Sequence, residues 1–379
     1  MESHDKRIVP LTIPDLSGNE ETYAVDAIRS SWISSTGEYV NRFESEFGKL
    51  TESKEVISTC NGTVALHLAM LALDLKPGDE VIIPSLTFIA TANAVRYVGA
   101  EPIFVDISAE TWCLNPDLIH AAITSKTRGI IAVDLYGHPA DFDAINAIAM
   151  DNGLWVVEDA AEAHLALYKG RKSGSLADVS VFSFYGNKII TCGEGGALTT
   201  NNVKFASRAK LLRGQGMDPE RRYYFSTIGY NYRLNNVSCA ILCAQIERID
   251  LMIQERKKAF EIYHSQLCNV KGILFQPIAM WANPAPWLLS ITINEVKFGC
   301  NRDVLIAFLD EKGIETRPFF IPIHTLPPYQ DSAKNRGCSL PVTELISKSG
   351  INLPTSSKMN QSEIIYICDM IKECRDSLL

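Results

Sequence analysis

Several enzyme classes announce themselves by short signatures, and this 379-residue chain carries few of them. It has no CxxC and no HExxH, and its seven histidines are scattered singly, so no metal site is expected. No GxGxxG follows a strand and no P-loop GxxxxGKS/T or GxSxG elbow occurs, which removes the usual marks of a dinucleotide-dependent dehydrogenase, a P-loop kinase and an α/β hydrolase. Positive charge is in short supply, with 36 Lys and Arg against 44 Asp and Glu, a formal net charge of −8. A nucleic-acid surface would need clustered cations, so no nucleic-acid partner is expected. No apolar run approaches the roughly 20 residues that span a bilayer, so no membrane insertion is expected. The opening MESHDKRIVP lacks the apolar h-region and cleavage site of a signal peptide. Ten cysteines are sparse at this length and irregularly spaced. They read as unpaired, mostly buried thiols of a cytoplasmic protein.

What is present suits a compact globular protein: 46% hydrophobic and 21% charged residues, in a chain long enough for two domains. Between residues 55 and 200, Val- and Ile-rich runs (EVIST, DEVIIP, EPIFVD, GIIAVDLY, LWVVEDA, VSVFSF, GGALTT) alternate with helix-like stretches at 63–74, 88–98, 141–151 and 204–212. Continuous apolar strands separated by helices predict a mostly parallel sheet covered on both faces, an α/β/α domain filling residues 1–250 together with its N-terminal segment. Residues 235–266 read as one long helix. After it, strand-like ILFQ and LLSITI, a helix near 302–312, a proline-dense loop at 318–328 and a final helix at 361–376 predict a smaller α+β domain over 251–379.

Three features carry chemistry. Lys188 follows the strand VSVFSF in SFYGNKIITCGEGG, where glycines mark tight turns or close backbone approach. A lysine at the mouth of a sheet can bond covalently to an aldehyde cofactor; the same pattern suits a surface lysine on a glycine-rich hairpin. Asp159 ends the strand LWVVEDA, facing the crevice where open α/β sheets bind ligands. There it suits the partner of a protonated ring nitrogen, or equally the cap of a following helix. Glu158 points to the other face of the sheet by strand alternation, and Glu162 comes within reach if a helix begins after Asp159. Asn61-Gly62-Thr63 opens the helix VALHLAMLAL and offers N–H groups to an anion, with the Ser183 hydroxyl close by. Phe88, in PSLTFIATANA, suits either a face against a flat ring or the core. A non-catalytic two-domain binding protein is also compatible with these residues.

Ordered blocks along nearly the whole chain resemble the DegT/DnrJ/EryC1/StrS family of sugar-nucleotide aminotransferases. They run from WISSTGEYVNRFESEF through STCNGTVALHLAMLAL, PSLTFIATANAVRYVGAEPIFVD, DLYGHPAD, VVEDAAEAH, SFYGNKIITCGEGG and GYNYRLNN to ETRPFFIPIHTLPPY and GINLPTS. The resemblance implies the aspartate-aminotransferase-like fold (fold type I) and pyridoxal 5′-phosphate (PLP) as cofactor, cycling through pyridoxamine 5′-phosphate. It implies that Lys188 binds the cofactor covalently and shuttles the proton, that Asp159 pairs with the pyridine nitrogen, and that Glu162 approaches the ring hydroxyl. Gly62, Thr63 and Ser183 would hold the phosphate and Phe88 would stack on the ring. Asn231 would reach the phosphate of the neighbouring subunit, in a homodimer with active sites at the interface. A nucleotide-linked keto sugar would be aminated with L-glutamate as donor, the acceptor being GDP-4-dehydro-6-deoxy-D-mannose or, alternatively, another UDP- or dTDP-linked 3- or 4-keto sugar. Trp32, Arg213, Arg317 and His324 are the substrate-binding candidates.

Two departures from the family pattern stand out. His164 is followed by Leu165 where a small residue is usual, and WANPAPWLLSI replaces an aromatic, His/Tyr-rich approach to its strand. Neither is expected to touch the cofactor residues; the second bears on the sugar.

Overall fold

The Val- and Ile-rich runs become strands because both faces of the sheet they form are buried, which favours β-branched side chains over alternation. The computed structural model describes residues 8–377. The first seven residues, on which the expectation about a signal peptide partly rests, lie outside that range. The strands in chain order are β1 (Glu55–Thr59), β2 (Glu80–Pro84), β3 (Glu101–Val105), β4 (Thr127–Val133) and β5 (Trp155–Asp159). They are followed by the two-residue strands β6 (Leu167–Tyr168) and β7 (Arg171–Lys172), then β8 (Val179–Ser183) and β9 (Gly196–Thr200). Seven of these form one sheet in the order β1-β9-β8-β5-β4-β2-β3. Every pairing from β8 to β3 is parallel; β9 alone runs against its neighbours β1 and β8.

Helices Gly62–Ala72, Ala90–Tyr97, Phe142–Asn152 and Val203–Arg213 fall within a few residues of the expected spans. Three start on side-chain caps: Asn61, Asp141 and Asn202 accept from the backbone N–H of Val64, Ala144 and Phe205 at 3.0, 3.5 and 3.1 Å. Apolar layers fill both faces of the sheet. One includes Phe43, Phe47, Phe182 and Phe184, with Phe47 and Phe182 edge-to-face at 5.0 Å; the other includes Leu68, Ile83, Val95 and Val181.

The expected helix over 235–266 is two helices, Asn236–Glu247 and Ile249–Leu267. Arg248, at φ −118° and ψ 4°, breaks it without a proline or glycine to signal the break, and its guanidinium reaches both carboxylate oxygens of Asp15 at 3.2 Å. The first helix packs on helices Glu20–Arg29 and Glu38–Thr51, the second on the C-terminal helix Gln361–Asp376. The chain therefore turns where its packing partners change.

Beyond this point lie β10 (Ile273–Phe275), β11 (Ala282–Asn283), β12 (Leu289–Ile293), β13 (Arg317–Pro318) and β14 (Gly350–Leu353). Four of them form an antiparallel sheet in the order β10-β12-β14-β13. Its core includes Tyr263, Phe298, Leu305 and Ile367. β11 pairs instead with β6, which ties the segment leading to β12 onto the large sheet's side of the molecule. All ten cysteines are free, and six of them are buried. Among the described residues no helix is long and apolar enough to cross a membrane.

Candidate active site

The antiparallel strand decides where Lys188 stands. Because β8 is followed by its antiparallel neighbour β9, the connection 184–195 must fold back over the sheet edge at which β4 and β5 end. That edge is the wall of a 720 Å³ cavity, within the size range of small-ligand sites. Lys188, Asp159, Glu162, Ser183, Gly62 and Thr63 all line it, as does Phe88.

Asp159 and Glu158 part company as strand alternation demands. Glu158 is fully buried on the far face, accepting the Ser180 hydroxyl and the N–H groups of Gly174 and Leu176. Asp159 faces the cavity. Its Oδ2 accepts the Thr91 hydroxyl at 2.8 Å and its Oδ1 the N–H of Ala161 at 3.3 Å. Burial raises the Asp159 pKa, while these two hydrogen bonds and the charge of Lys188 oppose the rise. Glu162 Oε2 accepts the Tyr136 N–H at 2.8 Å, and its Oε1 stands 3.8 Å from Lys188 Nζ. Burial pushes Glu162 up to about 7, against the pull of the lysine. Lys188 is shifted downward, first by burial and also by Arg317, with Glu162 and Asp159 opposing. The amine is thus more readily neutral than an exposed lysine, as a nucleophile and proton carrier requires.

Across the cavity, the N-terminus of helix Gly62–Ala72 abuts β8 and β9 so closely that side chains are excluded. A Cβ on Gly62 would lie 2.9 Å from the Ser183 Cβ, and one on Gly196 would lie 2.5 Å from the Asn61 carbonyl carbon. The result is a cradle of backbone N–H groups at the positive end of a helix, with the Ser183 hydroxyl beside it. A phosphate at this cradle, a ring nitrogen at Asp159 and an aldehyde at Lys188 match the three chemical functions of PLP, so the residues present fit that cofactor. Phe88 is 57% exposed, not part of the core, and its ring lies 5.9 Å from Phe320.

Of the substrate candidates, Arg317 lines the cavity, with Glu315 no nearer than 3.9 Å to its guanidinium. The others do not line it. Arg213 donates to Glu44 Oε1 and the Ser58 carbonyl, both at 2.8 Å. His324 is buried between the Ser85 hydroxyl at 2.8 Å and Glu344 at 3.2 Å. Trp32 is exposed, its carbonyl accepting the Asn236 amide at 2.7 Å, and Asn231 is exposed on the surface of the protomer.

Sequence reasoning missed Thr91, Asn187 and Trp287. For Thr91 a local signal existed, since it opens a helix beside a strand end. The Oδ1 of Asn187, a cavity-lining residue, is buried with no donor. Trp287 lies in the WANPAPWLLSI segment, and its ring centroid is 4.2 Å from Lys188 Nζ. The expectation that this departure touches no cofactor residue is therefore corrected: β11 and β12 carry the segment under the lysine. The other departure has a backbone consequence. Leu165 adopts φ +61°, the left-handed region, at about 1 kcal/mol or more for a side chain of this kind.

Comparison with known proteins agrees with this geometry. The family model described as the DegT/DnrJ/EryC1/StrS aminotransferase family matches residues 14–372. The GDP-perosamine synthase of Caulobacter vibrioides is 43% identical over 357 residues, covering 94% of this chain and 95% of that protein. Among solved structures, DesV of S. venezuelae, determined in complex with a ketimine intermediate, has a TM-score of 0.88 at 33% identity, covering 94% of each chain. The PLP form of the putative sugar aminotransferase Spr1654 from Streptococcus pneumoniae has a TM-score of 0.91 at 27% identity, covering 98% of this chain and 100% of that one.

Proposed function

The chain belongs to the DegT/DnrJ/EryC1/StrS aminotransferase family and is a PLP-dependent aminotransferase, and from that premise we propose that it moves the amino group of L-glutamate to C4 of GDP-4-dehydro-6-deoxy-D-mannose, giving GDP-perosamine and 2-oxoglutarate. The observation that carries the reading is the placement of the Lys188 amine, within 3.8 Å of Glu162, in the same cavity as Asp159 and opposite an anion cradle. The sugar assignment is supported by the name of the 43% identical relative.

Bound PLP would supply an aldehyde carbon that can carry an amino group and an electron-drawing ring. The chain's residues do the rest. Gly62, Thr63 and Ser183 would hold the phosphate, Phe88 would cover the ring face, and Glu162 would approach the ring hydroxyl. Asp159, kept on the cavity side by Thr91, holds a proton on the ring nitrogen. Lys188 takes a proton from one carbon and returns it to another, acting as base and then as acid. Glutamate and the sugar nucleotide use the site in turn, a double displacement. Arg317, the cation at the cavity wall besides Lys188 among the described lining residues, meets an anionic group of the substrate. The ten free thiols suit work in the reducing cytoplasm.

The substrate is tested with a panel of GDP-, UDP- and dTDP-linked 3- and 4-keto sugars, each with glutamate, scored by product mass. The GDP-linked 4-keto sugar is expected to be aminated most efficiently. Efficient amination of a UDP or dTDP sugar with none of the GDP sugar would discard the perosamine assignment and keep the aminotransferase.

The site is proposed to be shared in a homodimer, because Asn231 is exposed away from its own cavity. Asn231 of the partner subunit would reach the cofactor phosphate. Lys188→Ala and Asn231→Asp proteins, each inactive alone, would then form heterodimers with one site carrying both defects and one carrying neither. Random exchange of equal amounts restores about a quarter of wild-type activity in this arrangement. Demonstrated subunit exchange with no recovery means that each site is built from one chain.

A further inference from the structure

Trp287 has no role in the reading above, yet it contacts the reactive lysine in two ways. Its indole N–H donates to the Asn187 carbonyl at 2.8 Å, the carbonyl of the peptide that joins Asn187 to Lys188. Its ring centroid lies 4.2 Å from the Lys188 Nζ, well inside the range of cation–π attraction. The Tyr136 ring stacks on the indole at 6.3 Å and 18°, and the Tyr136 N–H holds Glu162, whose other oxygen faces the same Nζ. Lysine, indole, tyrosine and glutamate thus form a closed circuit.

The indole is itself held in place. Trp287 is 3% exposed, and its carbonyl accepts the buried Arg256 guanidinium at 2.7 Å. Its backbone N–H donates to the Ala285 carbonyl at 2.9 Å, and the Ala285 backbone N–H in turn donates to the Gly137 carbonyl at 2.9 Å. These contacts fix the backbone that carries the indole, and the ring itself is oriented by its N–H bond to Asn187 and by stacking on Tyr136.

We propose that Trp287 is a positioning residue for Lys188: its N–H fixes the peptide that presents the lysine, and its face receives the ammonium, resting the amine beside Glu162 whenever it is protonated. The inference rests on Lys188 being the reacting amine. A lysine that carries a proton between two carbons needs a defined resting place in its charged form. An indole provides one through its quadrupole without adding a further full negative charge to those of Glu162 and Asp159. The other groups acting on Nζ are Glu162 and Asp159, which favour the cation, and Arg317, which disfavours it. Buried His164 stays neutral, with a pKa lowered to about 3 by burial and by the nearby lysine.

The test reads the amine directly. Full-length protein freed of PLP is labelled with acetic anhydride across a pH series, and mass spectrometry gives the labelling of Lys188 relative to exposed lysines. Trp287→Leu is expected to move the Lys188 labelling midpoint down by about half to one and a half pH units, with exposed lysines unmoved. Trp287→Phe, which keeps a ring but a weaker one, should move it in the same direction by roughly half as much. A merely structural tryptophan predicts a lower melting temperature and an unmoved midpoint. A wild-type or raised midpoint in the two variants, or in Trp287→Phe alone should the leucine variant not fold, overturns the proposal. PLP-loaded protein is the parallel control: Lys188 should be protected there. Labelling of Lys188 in the loaded protein would instead contradict its role as the reacting amine.

Discussion

Lys188→Ala is expected to lose turnover by about three to four orders of magnitude, because in the proposed mechanism the substitution removes the group that moves the proton, along with the covalent hold on the cofactor. The fold should survive. The lysine lies in a connection between strands, not in either apolar layer, and the cradle at Gly62 and Ser183 does not depend on it. Its loss also takes a cation from beside Glu162, whose pKa, already raised by burial, then has less to oppose it and rises further. Steady-state turnover and thermal melting on the same preparation check this result. A folded variant retaining a tenth or more of wild-type turnover would reduce Lys188 to a structural role and favour a binding protein.

Asp159→Asn is expected to lower turnover by about 100- to 1000-fold, the scale of removing one preorganised electrostatic partner. The amide keeps the shape of the carboxylate and can still accept the Thr91 hydroxyl, so the geometry around the strand end is preserved. What disappears is the negative charge proposed to favour a protonated ring nitrogen. The cofactor should bind more weakly, and the half-reaction with glutamate should slow with it. Pre-steady-state absorbance of the loaded protein mixed with glutamate measures that step. An unchanged rate would remove Asp159 from the chemistry and leave it a structural role in the turn after β5, through its bond to the Ala161 N–H.

Much of this site was legible in the sequence because it is built from strand ends. The strands were readable as continuous apolar runs, and once β5 is a strand, alternation alone separates Asp159 from Glu158. The glycines after Lys188 were readable as tight turns or close approaches and Gly62 as part of a turn offering N–H groups, and the structure puts a Cβ clash at Gly62 and Gly196. What could not be read depends on partners distant in the chain. The break at Arg248 follows from Asp15 and from a change of packing neighbours, with no helix breaker in place. The short strands β13 and β14 exist because they pair with each other and with β12, not because their sequences demand it. Arg213 and His324 look like free polar groups in their own segments, but Glu44, Ser58 and Ser85 engage them. Trp287 reaches Lys188 from the connection between β11 and β12, which the pairing of β11 with β6 and the bond from the Ala285 N–H to the Gly137 carbonyl bring there.

Borohydride reduction of the PLP-loaded protein, followed by peptide mass spectrometry, tests the central claim most directly. The reduction should fix one pyridoxyl group on Lys188 and on no other lysine, and the Lys188→Ala protein treated in parallel should carry none. An adduct placed on a different lysine, or no adduct after incubation with PLP, would contradict the assignment of Lys188 as the cofactor-binding residue.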